Sequence, residues 1–175
     1  MNSSHDTGTW VPRESLVALA ADAARTGDVE TLGHVLAAGV AVDSVTPRGD
    51  TLLMLASYHG QVEAVRLLLE RGADPNRTDA KGQTPLAGVA FKGYVDVAEA
   101  LVNAGACIDV VTADGRSALT MAAAFNRVEM IAWLLDRGAM PDVPDGSGAR
   151  PVEVAKAMGA AEAVIMLTLP TGSLN

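Results

Sequence analysis

The chain has one cysteine, Cys107, six aromatic residues and three lysines in 175 residues. Each shortage excludes something. A single thiol cannot close an internal disulfide, so the fold does not depend on an oxidising compartment and a reduced cytoplasm fits. Six aromatics are few for a sandwich or a barrel, and an apolar content of 49%, mostly Ala, Leu and Val, suits closely packed small helices. The same content argues against a disordered chain. The formal net charge of −8 disfavours non-specific binding to nucleic acid or to an anionic membrane. No segment offers about 18 uninterrupted apolar residues. The start "MNSSHDTGTWVPRE" lacks the basic end and apolar core of a signal peptide, so a soluble cytoplasmic protein is expected. Arginine outnumbers lysine ten to three and alanine is abundant, which points to a GC-rich bacterial genome.

What the sequence does have is self-similarity. Glycines fall at Gly49, Gly82, Gly115 and Gly148, and a second set at Gly39, Gly72, Gly105 and Gly138, with 33 residues between members of each set. Between the two ladders the text matches as well: "GDTLLMLASYHGQVEAVRLLLERGADPN", "GQTPLAGVAFKGYVDVAEALVNAGACID" and "GRSALTMAAAFNRVEMIAWLLDRGAMPD". Thr51, Thr84 and Ser117 carry hydroxyls suited to capping a helix N-terminus, and Pro85 suits a first helical position. A short helix should follow, ending near Gly60 or Gly93. A second helix places Val62, Val65, Leu68 and Leu69 on one apolar stripe and stops at Gly72.

This pattern resembles the ankyrin repeat, whose unit is a β-turn followed by two antiparallel helices. The resemblance covers about residues 14 to 169 and implies an all-α solenoid of five stacked helix-turn-helix units with β-hairpin-like loops. The units are expected at 14–45, 46–78, 79–111, 112–144 and 145–169. Residues 1–13 and 170–175 are expected to be loose, Trp10 excepted if it packs back on the first unit. The family's Thr-Pro-Leu-His segment survives only as Thr84-Pro85-Leu86, and its histidine position holds Ala21, Met54, Ala87, Thr120 and Glu153. A unit this small cannot bury its apolar stripe alone, so the units must share one core and the outer units should turn polar. Asp22 and His34 stand where the second unit has Leu55 and Leu67, and Lys156 and Thr168 where the fourth has Ala123 and Leu135. Both ends read as capped, and a whole protein is the expectation.

Chemistry is hard to find. His5, His34 and His59 stand alone, without HxxxH, HExxH or CxxC spacing, so no metal site is expected. Cys107 has no base beside it, and "DGSGARP" lacks the Lys-Ser/Thr ending of a phosphate loop and reads as a repeat hairpin. Asp28/Glu30 and Glu63/Glu70 read as solvated outer faces, and Trp133 and Met130 as core. No cofactor and no catalysis are expected.

The family resemblance implies a partner surface on the concave groove, at the tips flanking the hairpin glycine and at two positions late in each first helix. Carried along the glycine ladder, this selects Arg25 with Thr26; Pro47, Arg48, Asp50, Tyr58 and His59; Ala80, Lys81, Gln83, Phe91 and Lys92; and Ala113, Asp114, Arg116, Ala124 and Phe125. Five of these residues are cationic and two are carboxylates, on a chain of net charge −8. Tyr58, Phe91 and Phe125 are expected to face solvent unless a partner covers them. Aromatics beside arginine have the composition of an interface hot spot. The expected function is capture of an acidic protein segment by a monomer. The competing readings are an accessory or inhibitor of an enzyme, such as a redox enzyme, and a dimer formed through the last unit. That dimer would use Ile165, which replaces Arg66 and Glu99 of earlier units. Ordinary exposure also places charges at variable tips, and explains the aligned aromatics less well.

Overall fold

Helices of seven to nine residues are marginal in isolation, because nucleation costs more than so few hydrogen bonds return. This chain is built almost entirely from them. The computed structural model describes residues 12–169 and contains, among these, ten helices and a single antiparallel bridge, between Val45 and Thr51. The first helices of successive pairs are α1 (Arg13–Thr26), α3 (Leu52–Tyr58), α5 (Pro85–Lys92), α7 (Ala118–Ala124) and α9 (Pro151–Ala157). The second helices are α2 (Val29–Ala37), α4 (Val62–Glu70), α6 (Val95–Asn103), α8 (Val128–Asp136) and α10 (Ala161–Thr168). Each first helix packs on the next first helix and on its own partner, and the second helices form a parallel layer. The expected all-α solenoid is what forms. Trp10 lies outside the described residues.

Local chemistry sets the boundaries. Thr51 Oγ1 accepts from the Met54 N–H at 3.1 Å, Thr84 Oγ1 from Ala87 at 3.1 Å and Ser117 Oγ from Thr120 at 3.1 Å, so all three expected caps are made. At the other end of α4, Gly72 takes φ +86°, with its N–H on Leu69 O and that of Ala73 on Leu68 O, a Schellman closure.

The core lies between the two layers and repeats with the sequence. Leu53, Leu86 and Leu119 are buried at one position of the register, and Leu68, Leu101 and Leu134 at another. Burying each contributes about 2 kcal/mol. Val65 is fully buried, while Val62 and Leu69 are half-buried at the stripe's margin. Trp133 packs on the core with the Arg137 guanidinium 4.7 Å from its ring centroid. Asp22, His34, Lys156 and Thr168 are exposed, as their polarity requires.

Two further devices hold neighbouring pairs in register. One links loops: the Asp74 N–H donates to Asp43 Oδ1 at 3.2 Å, Cys107 to Asn76 Oδ1 at 2.8 Å and Met140 to Asp109 Oδ1 at 3.1 Å. The other links helix ends: Gln61 Nε2 donates to Arg25 O at 3.1 Å, and Arg127 Nε to Phe91 O at 2.9 Å. At the joint after α7 the chain departs from the glycine used at the other joints. Asn126 takes φ +55° there, and its Oδ1 accepts from Ala163 N–H at 2.9 Å, capping α10, whose own Ala160 offers no side-chain cap.

Candidate functional site

Tight turns at 46–50 and 79–83 present the side chains of one face. In each, the first residue receives the backbone: the N–H of Asp50 donates to Thr46 Oγ1, and those of Lys81 and Gln83 both donate to Asp79 Oδ1 at 2.8 Å. Between these turns and the ends of α1, α3 and α5 lies a cleft of about 500 Å³. It brings together Arg25, Arg48, Asp50, Tyr58, His59, Lys81 and Gln83, seven of the residues expected at a partner surface. Met54, Leu55, Thr84, Pro85 and Gly88 form its floor.

Phe91, Lys92 and Phe125 adjoin the cleft through an aromatic row. Tyr58 and Phe91 stack with centroids 6.1 Å apart and planes 4° from parallel, and Phe125 meets Phe91 edge-on at 4.3 Å and 77°. Both contacts fall in or close to the favoured range for aromatic pairs. The Lys92 ammonium sits 4.4 Å from the Tyr58 centroid, a cation–π contact that keeps the charge at the groove surface. His59 donates from Nδ1 to Leu55 O at 2.9 Å, which fixes its ring against α3 and edge-on to Tyr58.

The geometry corrects one expectation and refines the count of charges. Phe91 does not face solvent as Tyr58 and Phe125 do: it is half-buried between them, and they remain 43% and 38% exposed. Arg116 is not a free cation, because it lies 3.3 Å from Asp114 and 4.0 Å from Asp145. Asp114 in turn accepts from the Thr112 hydroxyl, so this pair belongs to its own turn rather than to the cleft. The close approach of the two turns there, with Gly146 N–H donating to Asp114 O at 3.0 Å, makes "DGSGARP" a repeat hairpin.

Sequence reasoning missed Asp79, a second carboxylate in the cleft. Its signal was available, since Thr46, Asp79, Thr112 and Asp145 share one register position and all receive a turn N–H. The cleft therefore has three cations, Arg25, Arg48 and Lys81, against Asp50 and Asp79. Among the described residues none of the three cations has a carboxylate within 4.0 Å, whereas Asp79 is occupied by two backbone donors. Among the described residues no group of three or more His, Cys, Asp or Glu could hold a metal, and no helix is long and apolar enough to cross a membrane.

The family model for ankyrin repeats (3 copies) matches residues 20–112 and again 88–173, nearly the whole chain. The chain belongs to the ankyrin-repeat family. No curated protein matches it significantly. Ankyrin repeats are in general protein–protein interaction modules and typically non-catalytic, and the cleft and aromatic row lie on the first-helix and turn side of this ankyrin stack.

Proposed function

We propose that this protein is a non-catalytic binder that holds an acidic segment of another protein on its concave face. Residues 14–169 act as one binding domain, divided at 46, 79, 112 and 145. The observation that carries the reading is the set of three cations, unpaired among the described residues, beside an aromatic row whose outer members Tyr58 and Phe125 are exposed, on a molecule of net charge −8. Arg25, Arg48 and Lys81 set orientation and encounter rate, and Tyr58, Phe91 and Phe125 supply apolar contact. A buried aromatic anchor contributes on the order of 2 kcal/mol, and an exposed ion pair less than about 1 kcal/mol. A reducing, cytoplasmic setting suits the exposed thiol of Cys107.

Affinity capture from native lysate, comparing wild type with Arg48→Glu/Lys81→Glu/Lys92→Glu and read by mass spectrometry, tests the reading. The expected result is a protein retained by wild type and lost with the variant, whose helical circular dichroism and melting temperature stay close to wild type. Equal capture by both overturns it.

A second reading is favoured by Ile165 and Leu169, which are 59% and 44% exposed on and just after α10. Paired tail to tail, two chains would cover them. Light scattering across a concentration series decides this: a mass constant at 18.0 kDa excludes the dimer.

A further inference from the structure

The concave face changes character along the stack. Its first part, from α1 to the turn before α5, holds the unpaired cations Arg25, Arg48 and Lys81. The turns of its last part differ, since among the described residues their cations are paired: Arg116 with Asp114 and Asp145, and Arg150 with Asp142 and Glu153. What the last part offers instead is apolar. Phe125 occupies the register position of His59 and Lys92, and the next member of that row is Met158, which is 57% exposed. The row thus runs His59, Lys92, Phe125, Met158, from polar through cationic to aromatic and thioether. The half-buried Phe91 joins the two parts by contacting both Tyr58 and Phe125.

Resting on the concave face as the partner surface, we infer that the bound segment is bipartite: carboxylates at one end, over Arg25, Arg48 and Lys81, and large apolar side chains at the other, over Phe125 and Met158. Charge complementarity selects the first end. The second follows because a carboxylate there would meet Asp114 and Asp142 at turns whose cations, Arg116 and Arg150, are already paired, while an apolar side chain covers exposed carbon and sulfur. The length of the segment follows from the stacking. Three steps separate α3 from α9, at roughly 8–10 Å per packed helix pair. An extended chain advances about 3.3 Å per residue, so roughly eight or nine residues cover the distance.

A displayed library of random nine-residue peptides, selected on the full-length protein, tests this. The expected winners gather Asp and Glu at one end and Leu, Phe or Met at the other. For a winning peptide, Arg48→Glu/Lys81→Glu should weaken binding ~10-fold or more through the acidic end. Met158→Ser should weaken it ~5-fold through the apolar end, without disturbing the aromatic stack. Winners that are acidic throughout, bound equally well by Met158→Ser, would overturn the bipartite order and leave the acidic-segment reading standing. Winners with no acidic residues, or binding indifferent to Arg48→Glu/Lys81→Glu, would overturn both.

Discussion

α3 and α9 occupy the same place in the 33-residue register, yet every residue of Leu52–Ser57 is buried in α3, whereas α9 buries only Pro151 and Ala155. The cause is position, and composition follows it: Glu153 and Lys156 stand where α3 has Met54 and Ser57. α3 lies between α1 and α5, while α9 has a first helix, α7, on one side among the described residues. The second layer repeats the contrast, since α4 buries Ala64, Val65 and Leu68 but α10 only Ala163. Stability in this fold is conferred by neighbours, so it should fall toward α9 and α10, where one side of the stack has no further helix among the described residues.

The sharpest way to break the comparison is to remove the same core position in both places. Leu86→Ala, at a buried site in the middle, should cost ~2–5 kcal/mol in urea unfolding. Val152→Ala, at the half-buried equivalent in α9, should cost less than about 1 kcal/mol. Equal costs would refute the gradient.

Asn126 tests how the weak end is held. Asn126→Ala puts a residue without asparagine's local side-chain hydrogen bonding into left-handed backbone, worth up to about 1 kcal/mol, and also deletes the cap on α10, worth about 1 kcal/mol. Asn126→Gly should remove only the second part. Hydrogen exchange should therefore speed up in α10 for both variants and change little in α5.

Ser57 offers a change of opposite sign in the strong region. Its hydroxyl is buried without a hydrogen-bond partner among the described residues, where the other units have Ala24, Ala90 and Ala123, and the end unit the exposed Lys156. Ser57→Ala should raise stability by about 1 kcal/mol in the same urea experiment, and a loss would mean the hydroxyl is satisfied.

The smallest effect is acidic fraying. Asp145 is held below the usual carboxylate range chiefly by the Ser147 hydroxyl and N–H, Glu153 by Arg150 and Glu162 by Asn126. Asp28, held down by Thr31, is the counterpart near the other end. A carboxyl whose folded pKa is depressed contributes stability above its ordinary value, and that contribution is lost as pH falls through the folded value. Three such groups lie at 145–162, so below about pH 4 protection factors should drop in α9 and α10 before α5. Uniform loss would remove the link to these carboxylates.

The fold was legible because its signals are local and repeated. Thr51, Thr84 and Ser117 cap within three residues of themselves, and Gly72 closes its helix over the preceding turn. Part of the site was legible through the family resemblance, which the repeat register carried to Arg48, Tyr58 and Lys81, residues that line one cleft. What escaped depends on side-chain contacts within and between neighbouring turns and first helices. Arg116 is paired with Asp114 of its own turn and Asp145 of the next, and Phe91 lost its exposure to two neighbouring rings, which depends on the directions the side chains take. Asn126 hid behind its identity, because a search for glycines at 33-residue intervals passes over the one joint where asparagine takes the left-handed turn.

The loop links at Asp43, Asn76 and Asp109 all point the same way: each side chain accepts from a backbone N–H 31 residues further on. Such a connector is directional, and its receiving half is main chain that any residue but proline supplies. A duplicated 33-residue segment would therefore arrive carrying its own plug and find a socket already present. Growth by whole rows needs no matching change in the neighbours, which leaves the width of the recognised ligand free to vary by gene duplication while the joints stay the same.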